Sequence, residues 1–246
     1  MMNLPVAEIF TSLQGEGMYT GVPSHFIRLS GCNLRCVFNN SICDTPYASF
    51  DPEKQSMSVE EILSKIANSN VRHVVITGGE PLLYKGKGLE ELTKALVDKA
   101  YFITVETNGS IKPSKELLEN IALWSVSPKL KNSEPDCNTK GITEVIAAYH
   151  KEHRINIDAL STITQESFQY QLKFVSDGNS SDIEEIESIL NQLVDTKPSH
   201  IFLMPEGHSE EILSHNRKKV AEICIQKLWN YCERVQIIIW GDKRGF

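Results

Sequence analysis

No apolar run in this chain of 246 residues approaches the roughly 20 that a membrane span requires, so a membrane partner is not expected. Basic residues are in the minority: 25 Lys and Arg stand against 32 Asp and Glu, for a formal charge of −7. Such a chain lacks the basic face that non-specific nucleic-acid binding needs. The opening Met1-Met2-Asn3-Leu4-Pro5 has no charged stretch leading into an apolar one. No secretory leader is therefore expected, and the expected compartment is cytoplasmic, where thiols stay reduced. Internal repeats, low-complexity tracts and linkers are also missing. With 41% apolar residues the chain has enough for a full core, and the expectation is one domain over residues 1–246.

Cysteine is sparse but concentrated. Three of the six fall within twelve residues, in Gly31-Cys32-Asn33-Leu34-Arg35-Cys36 and Cys43-Asp44-Thr45. Three small side chains bury little apolar area, so a core role does not account for the cluster. Converging thiolates suit a soft metal or an iron–sulfur cluster. With three local thiolates, a four-iron cluster keeps one iron without a protein ligand, where a small molecule can bind. A structural zinc site remains open on spacing alone, its fourth ligand coming from Cys137, Cys224, Cys232 or a distant histidine. Cys224 and Cys232, eight apart in a helical pattern, read as buried small hydrophobes.

Short β-rich runs alternate with amphipathic segments. Strands are expected at Ser24–Leu29, His73–Thr77, Phe102–Glu106, Leu123–Val126, Gln171–Val175, Ile201–Met204 and Val235–Trp240. Ser58-Val59-Glu60-Glu61 reads as a capping box that opens a helix to about Ala67. Helical spacing marks Leu89–Lys99, Ser114–Ile121, Ile183–Val194 and a long helix over Glu210–Cys232. Such alternation indicates parallel strands with crossover helices.

Gly- or Pro-containing motifs follow each strand: Gly31-Cys32, Gly78-Gly79-Glu80-Pro81, Thr107-Asn108-Gly109, Ser127-Pro128-Lys129, Ser176-Asp177-Gly178, Met204-Pro205-Glu206-Gly207 and Gly241-Asp242-Lys243-Arg244. In a barrel of parallel strands these carboxyl ends share one mouth, where catalytic loops collect. Each is also readable as plain chain reversal. Gly78-Gly79 lets backbone approach a ligand closely, or simply makes a tight turn.

The three-cysteine loop after one strand and Gly-Gly-Glu-Pro after the next resemble the radical S-adenosylmethionine enzymes. That resemblance implies an incomplete parallel β/α (partial TIM) barrel of about six strands. It also implies a [4Fe-4S] cluster on Cys32, Cys36 and Cys43, whose open iron chelates S-adenosylmethionine and generates a 5′-deoxyadenosyl radical. Within that superfamily, Glu8–Gly17, Gly21-Val22-Pro23, Phe26–Leu29, Cys43-Asp44-Thr45 and Trp240–Gly245 resemble the 7-carboxy-7-deazaguanine synthase family. The reaction implied is a lyase step from 6-carboxy-5,6,7,8-tetrahydropterin to 7-carboxy-7-deazaguanine plus ammonia, on the route to the tRNA nucleoside queuosine.

By the same resemblance, Leu13, Gln14, Gly15, Glu16, Arg28, Thr77 and Phe246 bind substrate. Arg28 offers a planar fork for a carboxylate, and Gln14 an amide that donates and accepts. Ile42, Cys43, Asp44, Gly79, Ser127, Pro128, Lys129, Met204, Pro205, Glu206 and Gly207 match cofactor positions, with Asn108 a weaker candidate. Thr45 matches a magnesium ligand, a hydroxyl oxygen being suited to that hard ion. The family implies a homodimer and an electron donor such as flavodoxin. Taken without the resemblance, Arg28, Lys129 and Glu16 read as ordinary surface charges and Thr45 as a turn residue.

Two positions depart from the family pattern. Val37–Ile42 places six residues between the second and third cysteines where many members have two, and an altered loop is expected. Gln236 stands where a histidine is common, and an amide cannot titrate near neutrality. Two rival functions remain at this stage. One is an activating enzyme of the same superfamily that abstracts hydrogen from a protein glycine; the other is a zinc-stabilised binding module.

Overall fold

The computed structural model describes residues 2–39, 41–241 and 243–246. Asn40 of the spacer between the cysteines and Asp242 of the final motif lie outside them. In chain order the strands and helices are β1 (Asn3–Leu13), β2 (Pro23–Leu29), β3 (Val37–Phe38), β4 (Ser41–Ile42), α1 (Pro46–Ser49), β5 (Gln55–Ser58), α2 (Val59–Ile66), β6 (His73–Gly78), α3 (Leu89–Asp98) and β7 (Phe102–Thr107). There follow α4 (Lys115–Asn120), β8 (Leu123–Val126), α5 (Glu144–His153), α6 (Ile157–Glu166), β9 (Tyr170–Ser176), α7 (Ser180–Leu190), β10 (Ile201–Pro205), α8 (Glu210–Lys227), β11 (Asn230–Tyr231) and α9 (Val235–Trp240).

One sheet runs in the order β11-β10-β9-β8-β7-β6-β2-β1-β5. From β2 to β11 every neighbouring pair is parallel, whereas β1 and β5 join antiparallel at the other edge. The result is the incomplete barrel the motifs imply: six substantial parallel strands, a two-residue seventh and an antiparallel flank. Among the described residues no helix is long and apolar enough to cross a membrane.

Strand parity divides the barrel chemically, because successive side chains point to opposite faces. Ile27 and Leu29, Val74 and Ile76, Ile103 and Val105, Trp124 and Val126, and Leu172 and Phe174 face outward into one apolar core with the helices. The alternate positions, Arg28, Thr77, Glu106, Ser125 and Lys173, all line a single cavity. At about 25 cal/mol per Å² of apolar surface buried, the outward set stabilises the fold and frees the inward set for polar work.

The expected capping box is present, with Ser58 accepting from the Glu61 amide and Glu61 from the Ser58 amide. Two expectations need correction. Val235–Trp240 is a helix, not a strand. Its β-branched run suits a strand locally, but β11 already occupies the sheet edge, and the Val235 amide is bound to the Gly15 carbonyl at 3.1 Å. The long helix ends at Lys227, where Leu228 turns left-handed, so Cys232 is not helical. Instead its Sγ accepts from the Gly17 amide at 3.0 Å. The antiparallel strands β1 and β5 and the helices α5 and α6 were not anticipated.

Candidate active site

The cavity at the carboxyl ends of the strands has a volume of about 540 Å³. Of the sequence-proposed residues, Leu13, Gln14, Gly15, Glu16, Arg28, Thr77, Phe246, Cys32, Cys36, Ile42, Cys43, Asp44, Thr45, Gly79, Ser127, Lys129, Met204, Glu206 and Gly207 line it. Pro128 and Pro205 do not; they shape the backbone of their loops. A larger apolar groove of about 690 Å³ near Tyr19, Val71 and Phe102 lies at the opposite strand ends, away from every thiol of the cysteine loop. Its lining, which includes Arg72 and His73, contains no cysteine and no carboxylate.

The cysteine loop is held differently in its two halves. Gly31 donates to the Ala48 carbonyl at 2.7 Å and accepts from the Glu80 amide at 2.8 Å. Asn33 bonds Ser110 and Asn108, and the Arg35 amide donates to Nδ1 of buried His150 at 3.2 Å. The second half is a hairpin, β3 paired with β4, closed by a bond from the Cys43 amide to the Cys36 carbonyl at 3.0 Å. Near its tip, Asn39 Nδ2 donates to Glu206 Oε2 at 3.1 Å. The altered loop expected of the six-residue spacer is therefore this hairpin.

Gly78-Gly79 explains why the two motifs adjoin. A Cβ on Gly79 would lie 2.2 Å from the Gly31 carbonyl oxygen and 2.5 Å from that of Ala48. The close backbone approach predicted for a ligand is thus also an approach to the cysteine loop itself. Buried Glu80 fixes this junction, accepting from the Leu82 and Asn108 amides and from Thr107.

The three thiols are free of disulfides. Burial, then the Glu80 charge, pushes Cys32 up to about 12; burial likewise raises Cys36 and Cys43. The Cys43 charge adds to the rise at both Cys32 and Cys36. Among the described residues no three His, Cys, Asp or Glu side chains form a group able to hold one metal ion. Three thiols facing one cavity, without other bonding duties of consequence, fit a multi-iron cluster whose irons are separate points. Such ligands must lose protons as metal binds.

The same cavity is lined by a charged set. Glu8 accepts from Arg28 Nε and the Tyr47 hydroxyl, both at 2.7 Å, and from Arg244 Nε at 3.1 Å. The two terminal nitrogens of Arg28 have no hydrogen bond among the described residues. Glu106 accepts from Gln14 Nε2 at 3.1 Å and Thr77 Oγ1 at 2.9 Å. Glu16 receives Lys173 on one oxygen, and Arg234 at 3.2 Å and Gln236 at 2.7 Å on the other. Burial opposes ionisation of Glu16, but the Lys173 and Arg234 charges outweigh it and hold the carboxyl well below the usual range. Gly15 leaves room for Gln236, whose Oε1 is buried without a partner. Lys129 reaches Ser127 Oγ at 2.9 Å, and Thr45 Oγ1 lies 3.4 Å from Cys43 Sγ. Phe246 is half-exposed and packs 5.9 Å from Trp240, centroid to centroid.

Glu8, Tyr47, Glu106, Lys173 and Arg234 were not singled out as site residues from sequence. Glu106 and Lys173 were findable, since each is a charge inside an apolar strand at the parity set by Arg28 and Thr77.

Residues 26–169 match the model of the radical SAM superfamily. A 7-carboxy-7-deazaguanine synthase of Rhodopirellula baltica is 39% identical over 99% of this chain and 89% of its own length. One of Halobacterium salinarum is 40% identical over 97% and 91%. The crystal structure of QueE from Escherichia coli superposes with a TM-score of 0.65 at 28% identity, covering 95% of this chain and 94% of that one. These relatives do not favour the activating-enzyme reading. The matches span the cysteine loop and the inward-facing strand positions alike, and the chain belongs to the radical SAM superfamily and, within it, to the 7-carboxy-7-deazaguanine synthase family.

Proposed function

We propose that the chain is a radical SAM lyase that converts 6-carboxy-5,6,7,8-tetrahydropterin to 7-carboxy-7-deazaguanine and ammonia. The observation that carries this reading is one cavity lined both by three free thiols and by an arginine fork, an amide and two carboxylates. Cys32, Cys36 and Cys43 would hold a [4Fe-4S] cluster. Gly79, Ser127, Lys129, Met204, Glu206 and Gly207 would surround S-adenosylmethionine. Bound there, the pair supplies one-electron cleavage and hydrogen-atom abstraction, which is the cofactor's chemistry rather than the protein's.

The protein's own residues bind and orient. Arg28 takes the substrate carboxylate on its free nitrogens in a bidentate pair. Gln14, Glu16 and Glu106 present acceptors and an amide to the ring edge, which carries N–H donors. Because Glu16 and Glu106 are already bonded by the protein, they are aimed before substrate arrives, and preorganised dipoles cost little reorganisation during reaction. Thr77 holds Glu106 from the strand beside it. Thr45 would contribute one oxygen to a magnesium ion that completes its shell with water and substrate oxygens. A homodimeric assembly, a flavodoxin-type electron donor and a role in tRNA modification complete the proposal and rest on the family alone; a single domain and a cytoplasmic location are proposed from the sequence pattern.

Anaerobic reconstitution tests it. Protein with about four irons per chain that makes the deazapurine from the carboxytetrahydropterin, reductant and S-adenosylmethionine supports the reading. Iron binding without turnover of this pterin would refute the substrate.

A further inference from the structure

Arg234 precedes α9 as its N-cap, and its side chain is only 12% exposed. Nε donates to Glu16 Oε1 at 3.2 Å, Nη1 donates to the Gly207 carbonyl at 2.6 Å, and Nη2 donates to the Asp44 carboxylate. Three loops, remote in sequence, end on one guanidinium. A planar fork holds three fixed directions at once, which a compact ammonium does not. The proposed function gives Glu16 to the substrate, and Asp44 and Gly207 to the cofactor. Resting on that reading, we infer that Arg234 is a positioning residue that couples the two sides of the cavity, transmitting the ordering of the cofactor loops to the substrate-reading carboxylate.

The two ends of this tie differ in strength. Glu16 is buried and shared with Lys173 and Gln236, so it keeps its place. Asp44 is the more exposed end of the tie, where solvent screens part of the attraction. Cofactor that orders residues 42–44 holds the existing Asp44–Arg234 pair in place, and so steadies the guanidinium, Gly207 and Glu16 together. Coupling of this kind is reciprocal: substrate tightens cofactor binding by the factor with which cofactor tightens substrate binding.

The test compares wild type, Arg234→Met and Arg234→Lys, all with the cluster reconstituted and iron counted. Hydrogen exchange on ligand-free protein should rise together in segments 14–17, 43–45 and 206–208 in R234M, with the rest of the chain unchanged. In wild type, S-adenosylmethionine and the carboxytetrahydropterin should enhance each other's affinity by about tenfold. R234M should abolish the enhancement. R234K, which keeps the charge beside Glu16, should hold pterin affinity within about threefold of wild type and still lose the enhancement. The inference is overturned if the three segments stay at wild-type exchange in R234M, or if wild type shows no enhancement. It is equally overturned if R234M keeps the enhancement, or loosens the whole chain and loses iron. Absence of any pterin affinity in wild type would refute the proposed function, while the exchange pattern still decides whether Arg234 ties the loops.

Discussion

The two walls of the cavity are built on opposite plans. Around Glu16 every charge already has a protein partner: Lys173, Arg234 and Gln236 converge on one carboxylate. Around the cysteines little is satisfied, and burial keeps the thiols protonated. One wall is finished when the chain folds; the other waits for a guest. Preorganisation is useful where a substrate must be read and costly where a metal cluster must be assembled from free thiolates. The difference between the walls follows from what each one binds.

Perturbations of each wall should therefore fail in different ways. The largest effect is expected on the unfinished side. Cys43→Ala removes one of three thiolates; bound iron and turnover should fall to background while the melting temperature of the iron-free protein moves little. Iron retained at wild-type level in C43A would remove Cys43 from the ligand set. On the finished side, Lys173→Met leaves a buried carboxylate with less counter-charge. Breaking a buried pair of this kind costs about 3–5 kcal/mol, readable by denaturant titration of the iron-free protein. The double variant E16Q/K173M should lose less than K173M alone, because the stranded charge is gone.

A smaller effect comes from the strand base, remote from both walls. His73 is buried between Ser24 and Thr104 at 2.7 and 2.8 Å, and burial lowers it to about 4. The unfolded histidine takes a proton near pH 6.5, so between pH 6.5 and 4 the unfolded state binds more protons and stability falls with pH. His150, lowered to about 4 first by burial and then by the Arg154 and Lys129 charges, acts in the same direction. His73→Gln should flatten part of the acid slope in a series of pH-dependent melts; an unchanged slope would contradict the burial argument. The smallest effect belongs to Thr45→Ala. It should reduce stimulation of turnover by magnesium by about twofold to tenfold and leave S-adenosylmethionine cleavage nearly intact. Equal loss of both would argue against a metal contact.

Much of this arrangement is legible in the sequence. Parallel strands show as β-branched runs ending in Gly or Pro motifs, and six of the seven strands expected lie where the runs place them. The exception, Val235–Trp240, shows why local propensity falls short. What makes it helical is a long-range bond to Gly15, together with a sheet edge that β11 already fills. That error also hid Arg234, because a residue just before an expected strand draws no attention as a ligand. Glu106 and Lys173 were missed for another reason. Strand segments were recognised, but their register was not, and only register tells which face a charge occupies. Once Arg28 pairs beside Thr77, the inward parity of each following strand can be traced.

The junction of Gly79 with Gly31 also sets a rule for redesign. From Gly31 to Cys36 the backbone is stapled by Ala48, Glu80 and His150, so an added residue there would pull apart bonds on three neighbours. Past Phe38 the side-chain tie from the described hairpin is the one from Asn39 to Glu206. Extra length, reporter groups or grafted peptides should therefore be accommodated at the hairpin tip, and rejected between Gly31 and Cys36.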